Sequence, residues 1–341
     1  SFSDLEIICV DDGSTDNTLE VLQSYASKDS RIQVYHQENQ GPGGATNTGI
    51  AKAKGKYIYL MDADDALDLN ALEELYNIME EKDLDFVIFK AINYDHDTDK
   101  YYEDNYYTMP RLHERVGDSV FYWKDLGNLI FNMCVTPWSK LYRRDLIKES
   151  GAKFPLRLIY HDNIFFFEIL FNSSRIYFYD KFLYKRRVHS SSLVNSHNEK
   201  SVHIIETFNL IVKTFMDYGH FEEFKVDLYN RKVSICNYRY KLIREEFKGF
   251  FFDEMDVRKY GSQGQQRCAA LSLKLSEIEL VKSTTGDTPI LLLDDVLSEL
   301  DKNRQNYLLN HIHDIQAMIT CTGLDEFVNC RFSIDKIFKV T

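Results

Sequence analysis

The stretch NQGPGGATNTGIAKAKGKYIYLMDADD, Asn39 to Asp65, decides the fold. Its second half becomes a short apolar run, Tyr57 to Met61, that stops on Asp62-Ala63-Asp64-Asp65. An apolar run of that length after a glycine reads as a strand. Carboxylates at a strand end are costly to bury unless they bind something. The first half holds Gly41 to Gly44 with a proline inside, which reads as a loop.

A second acidic strand end lies upstream. Glu6 to Val10 reads as a strand that runs into Asp11-Asp12-Gly13-Ser14. A helix follows, with Asn17 and Glu20 at capping-box spacing and Leu19, Leu22 and Tyr25 on one face. Ile32 to Tyr35 is a short strand, Leu69 to Glu80 a helix and Phe86 to Phe89 a strand. Alternating strands and helices predict a parallel α/β sheet, with ligands at the carboxyl ends of its strands. Both acidic clusters fall there. A divalent cation with a diphosphate suits them, because Mg²⁺ and Mn²⁺ prefer oxygen ligands.

Residues 101–192 are aromatic-rich and show no clear period. From Glu199 to Met255 the pattern is helical, with Ile204, Phe208, Ile211, Val212 and Phe215 at helical spacing. Near Asp256 the character changes. A polar Gly261-Ser262-Gln263-Gly264 segment opens a helical stretch, Gln265 to Lys282. Pro289 to Leu293 is an apolar strand ending in Asp294-Asp295, and Ala317 to Thr322 is another. This is a second α/β fragment.

Bulk properties set outer bounds. A chain of 341 residues has room for one large or two medium domains. A net charge of −12 argues against a surface coated for nucleic acid. The local exception is Lys181 to Arg187, which reads equally as a basic patch or a solvated loop edge. Six cysteines without CxxC spacing read as reduced thiols in a cytoplasmic protein. No apolar run approaches the roughly 20 residues of a membrane helix, so any membrane contact would be peripheral, at the inner face.

The segments EIICVDDGSTDNT (6–18), the Asn39–Asp65 stretch, TPWSKLYRRDLI (136–147) and LYKRRVHSSSL (183–193) together resemble the inverting family 2 glycosyltransferases of GT-A fold. The resemblance runs from Ser1 to about Met255. It implies a GT-A nucleotide-sugar domain over 1–195 and a helical extension over 196–255. It also implies roles. Asp11 and Asp12 would hold the uridine of a UDP-sugar donor. Asp64 would ligate Mn²⁺ or Mg²⁺, with Asp62 reaching the ribose or the metal shell. Asp162 would take the proton from the hydroxyl of a saccharide or lipid-linked acceptor, unless it only caps the helix after it. His189 would lie near the phosphates or the acceptor, and Trp138 would serve as a sugar platform or as core. The pattern is not complete. The family begins with a strand and helix that would precede Ser1, has Arg where Thr46 stands, and has Glu where His161 stands.

DVRKYGSQGQQRCAALSLKLSEIELVK (256–282) and TPILLLDDVLSELDKNRQ (288–305) resemble the C-terminal part of RecF, a DNA replication and repair protein with an ABC-type ATPase head. This implies a partial ATPase fragment over 256–341. Ser262, Gln263, Gly264 and Gln265 match the signature loop that reaches the γ-phosphate of ATP on a partner. Asp294 and Asp295 match Walker B, and Asp301 the loop at the dimer interface. The phosphate cradle GxxxxGK followed by Ser or Thr is missing, since Gly55-Lys56 leads into Tyr57. ATP or nucleic acid would therefore engage this fragment only through a complementary partner. Three readings follow: a glycosyltransferase carrying a passenger tail, a DNA-repair fragment, or a fusion in which neither activity survives.

Overall fold

The computed structural model describes residues 2–188, 203–242, 290–294, 312 and 316–320. The chain divides into two compact units, Ser1–Glu254 and Met255–Thr341.

The first unit opens with β1 (Ile7–Asp11) parallel to β2 (Ile32–His36), paired from Ile7↔Ile32 to Asp11↔His36. The crossover is α1 (Thr18–Ala26). Its start is capped differently from the sequence expectation. Asn17 makes no side-chain cap, and the Asp16 carboxylate accepts from the Thr18 N–H at 3.0 Å instead.

The segment read as a glycine loop is the beginning of α2 (Pro42–Lys52). Proline suits a first helical position because it has no N–H to leave unpaired. Gly41, at φ 82°, turns the chain into the helix. Gly43 is a packing glycine, since a Cβ there would lie 2.5 Å from the Pro155 carbonyl oxygen.

The main sheet runs β3 (Tyr57–Tyr59), β7 (Lys140–Arg143), β5 (Phe86–Asp95), β8 (Ile176–Val188), β4 (Ala66–Leu67), with β6 (Lys100–Tyr102) also on β5. Only β5 and β8 run parallel; the other pairs are antiparallel. The wholly parallel sheet expected from strand–helix alternation is therefore corrected. The aromatic middle of the chain, which showed no clear period, supplies β7 and β8 and makes the sheet mixed. Between β6 and β7 lie the short helices α4 (Asn105–Thr108) and α5 (Pro110–Val116), and α6 (Arg144–Ser150) follows β7.

Residues Phe86 to Phe89 of β5 are fully buried, and their alternate side chains enter two cores. Val87 and Phe89 meet Leu75 and Met79 of α3 (Ala71–Lys82) and the ring of Trp138. Phe86 and Ile88 join a larger core with α7 (Asp162–Phe171), α8 (His203–Asp217) and α9 (Phe221–Leu242). α7 carries apolar residues all round, as a helix enclosed on several sides must.

In the second unit, β9 (Leu291–Asp294) pairs in parallel with β10 (Ala317–Thr320). Leu291 and Leu293 are buried, while Ile290 and Leu292 are exposed. The helix expected over Gln265 to Lys282 lies outside the described residues. Among the described residues no helix is long and apolar enough to cross a membrane.

Candidate active site

The acidic turn after β3 is held from β8. The Tyr184 hydroxyl donates to Asp65 Oδ2 at 2.6 Å, and the Arg187 backbone N–H donates to Asp65 Oδ1 at 2.6 Å. Asp65 is thus the anchor of the turn, and Asp62 and Asp64 precede it on an exposed segment. Asp62 reaches solvent, yet protein lies close around it. Burial first, then the charges of Asp162, Asp65 and Asp64, push its carboxyl up to about 7, with Arg186 acting the other way.

Asp162 arrives from α7, of which it is the first residue. It keeps 27% of its side-chain surface. Burial raises its carboxyl, opposed by His161 and Lys140. His161 Nε2 lies 3.1 Å from Asp162 Oδ1, while its Nδ1 faces the Leu158 carbonyl at 2.8 Å. Among the described residues the Asp162 carboxylate accepts no backbone hydrogen bond, so helix capping does not account for it. The fold therefore places Asp62, Asp64, Asp65, Asp162 and Arg186 in one electrostatic neighbourhood.

Asp11 and Asp12 have other partners. Asp11 is buried. Hydrogen bonds from Ser14 and then His36, whose Nδ1 lies 2.6 Å away, hold its carboxyl below the usual range. Asp12 Oδ1 accepts from Gln37 Nε2 at 2.7 Å and from the Gln40 N–H at 2.9 Å. The two acidic strand ends lie on strands that do not pair with each other: β1 pairs only with β2, and β3 only with β7, among the described residues. No hydrogen bond or ion pair in the described residues joins Asp11 or Asp12 to the Asp62–Asp162 group.

Trp138 is core: 4% exposed, stacked on Tyr184 at 4.4 Å and 9°, and tilted against Tyr107. The basic stretch Lys181–Arg187 is strand β8. Lys181 pairs with Glu74 at 2.6 Å, and Arg186 donates to Asn93 at 3.2 Å beside the acidic turn. Two of the four cations of this stretch, Lys181 and Arg186, are thus engaged within the protein, while Lys185 and Arg187 are exposed. Thr46 bonds back to the Pro42 carbonyl of its own helix. Cys134 and Cys236 are buried free thiols, and Cys9 is a half-buried one.

His189, Ser262, Gln263, Gly264, Gln265, Asp295 and Asp301 lie outside the described residues. Asp294 ends β9. Lys140, Tyr184 and Arg186 were missed as site residues. The available signal was a lysine set inside an otherwise apolar strand segment, TPWSKLY.

Among the described residues no three His, Cys, Asp or Glu side chains gather at ligand spacing. Asp62 and Asp64 still fit a hard cation as a partial all-oxygen donor set, provided a diphosphate supplies further oxygens.

Comparison with known proteins divides along the chain. Residues 1–151 match the family model Glycosyl transferase family 2. Among solved structures, S. aureus TarS (residues 1–349, in complex with UDP) superposes with a TM-score of 0.55 at 18% identity, over 90% of this chain and 77% of that one. That likeness establishes a GT-A-type α/β fold. Among curated sequences, RecF of Lachnospira eligens is 59% identical over 125 residues, 34% of this chain and 34% of that protein. RecF of Lachnoclostridium phytofermentans is 69% identical over 91 residues, 27% of this chain and 25% of that one. The chain spans about a third or less of the length of these RecF relatives. Residues 1–151 thus match the family model Glycosyl transferase family 2, on a chain that also carries a stretch similar to the DNA replication and repair protein RecF.

Proposed function

We propose that the first unit is a glycosyltransferase that moves a sugar from a UDP-sugar to a hydroxyl acceptor with inversion. The observation that carries this reading is the electrostatic neighbourhood of Asp62, where burial and the charges of Asp162, Asp65 and Asp64 raise its carboxyl to about 7. Carboxylates crowded this way favour a cation or a proton donor among them.

In this reading Asp64 and Asp62 hold Mn²⁺ or Mg²⁺ together with the donor diphosphate. When bound, the cation offsets the charge that grows on the departing UDP. Asp11 and Asp12 face the uridine. Asp162 takes the acceptor hydroxyl proton while that oxygen attacks the anomeric carbon, and one in-line displacement inverts the configuration. His189 assists at the phosphates or acceptor, and residues 196–255 extend the domain. The acceptor is a saccharide or lipid-linked hydroxyl met in the cytoplasm, with any membrane contact peripheral.

The test is UDP release from a panel of UDP-sugars with Mn²⁺ and saccharide acceptors. Wild type should release UDP with at least one donor. Asp162→Asn should retain UDP binding and lose about 10²–10⁴ in rate. Full activity in that variant would remove Asp162 from the chemistry.

A second reading applies to the RecF-like stretch and rests on its 59–69% identity. Ser262 to Gln265 would be offered to ATP held by a partner with a phosphate cradle, and Asp294 and Asp295 would serve as its Walker B carboxylates. ATP should then stabilise this chain only when that partner is present.

A further inference from the structure

The turn that leads into Asp162 strains its own backbone. Arg157 (φ 56°) and Tyr160 (φ 67°) both occupy the left-handed region, which a side chain disfavours. Residues in such conformations persist only where their surroundings over-determine them. At Tyr160 the surroundings do so from two sides. From α7, the Asn163 N–H and Asn163 Nδ2 both donate to the Tyr160 carbonyl, at 3.2 and 3.0 Å. From α9, the Arg239 guanidinium lies 4.9 Å from the centroid of the Tyr160 ring.

The preceding residue is gripped by α8. The Ile159 N–H donates to His203 Nδ1 at 3.3 Å, and Thr207 Oγ1 donates to the Ile159 carbonyl at 3.1 Å. His203 and Thr207 are four residues apart and so share one face of the helix. Together they answer both backbone groups of a single loop residue, which leaves that residue little freedom to rotate. Thr207 is 0% exposed. A helical threonine commonly returns its hydroxyl to the carbonyl one turn earlier. Thr207 crosses to the loop instead, an arrangement that the stability of α8 does not require.

We propose that His203 and Thr207 are positioning residues, a clamp through which the helical extension fixes the Tyr160 turn and thereby the place of Asp162. This rests on the reading of Asp162 as the proton acceptor. Asp62 and Asp64 belong to a different turn, held from β8 through Asp65. The clamp therefore governs the chemical step and leaves nucleotide binding alone. A threonine that only packs would affect both equally, through stability.

The test joins amide hydrogen exchange over residues 154–163 with transfer kinetics, on the whole chain, for wild type, Thr207→Val and Thr207→Ser. Valine keeps the shape and loses the donor. Exchange at Ile159 to Asn163 should quicken by about three- to tenfold in Thr207→Val, with the amides inside α8 unchanged. Its kcat should fall by on the order of ten- to a hundredfold, because small misplacements of a reacting group are costly, while the Kd for UDP with Mn²⁺ stays put. Thr207→Ser keeps the hydroxyl and should restore both readings. His203→Leu removes the acceptor for the Ile159 N–H and should give the same pair of changes, which covers a Thr207→Val chain that fails to fold. Unchanged exchange in the loop would overturn the clamp. Faster exchange at full kcat, or loss of kcat and UDP affinity in step, would overturn the positioning role. Faster exchange in the variants with no transfer by wild type would uphold the clamp and count against the transferase reading alone.

Discussion

Trp138 lies flat on Tyr184, ring centroids 4.4 Å apart and planes within 9°. The same Tyr184 extends its hydroxyl to Asp65 Oδ2 at 2.6 Å. The acidic turn is therefore braced by the core through one aromatic stack. Tyr59 adds a second brace, donating its hydroxyl to the Trp138 carbonyl at 3.0 Å.

This brace separates two kinds of damage. Trp138→Ala should cost about 3–5 kcal/mol of stability through the cavity it leaves. Tyr184→Phe keeps the stack and loses only the donor to Asp65, costing about 1–2 kcal/mol. Thermal melts should rank the variants in that order, while Tyr184→Phe should weaken nucleotide binding by more than its melt suggests. A Trp138→Ala chain that melts like wild type would show that the ring is not core.

Asp62 gives the first unit a pH signature. Its ordinary carboxyl value is 3.8, and in the folded state it rises to about 7. Between those values the folded protein holds a proton that the unfolded chain has released. Stability from this group therefore falls as pH climbs through the window, and the penalty is complete above about 7. Asp62→Asn should raise the melting temperature by a few degrees at pH 8 and by little at pH 4. An equal gain at both values would mean that Asp62 is not perturbed by its neighbours.

Asn47 joins segments far apart in the chain. Its Nδ2 donates to the Phe154 carbonyl at 2.8 Å, and its Oδ1 accepts from the Phe154 N–H at 2.9 Å, so one side chain satisfies both backbone groups of a loop residue. Asn47→Ala leaves both groups without a partner and should cost about 2–3 kcal/mol. The check is denaturant unfolding, where the midpoint should fall with the slope unchanged. An unaltered midpoint would mean water replaces the clamp at no cost.

Much of this was legible in the chain. The runs read as strands at Glu6–Val10, Tyr57–Met61 and Phe86–Phe89 fall on β1, β3 and β5, and the spacing of Ile204, Phe208, Ile211 and Phe215 marks the buried face of α8. The start of α2 was not, because Pro42 and its glycines carry the same local signal whether they open a helix or form a loop. Only contact with Pro155 distinguishes the two, and that contact is remote in sequence. The mixed sheet was hidden for a similar reason: strand order depends on which distant edges pair, and period reports only on a strand's own faces. Asp162 could be singled out through family resemblance alone. Its electrostatic link to Asp62 depends on how α7 packs, which local sequence does not encode.

The most direct measurement is a thermal-shift titration of the whole chain with UDP plus Mn²⁺, beside ATP plus Mg²⁺, for wild type and Asp64→Ala. A ligand that binds only the folded state raises its apparent stability by mass action, about 2.7 kcal/mol at a hundredfold excess over Kd. The nucleotide-sugar account predicts stabilisation of wild type by UDP with Mn²⁺, none by ATP with Mg²⁺, and loss of the UDP effect in Asp64→Ala. Equal stabilisation of both proteins by UDP, or none of wild type, would contradict it.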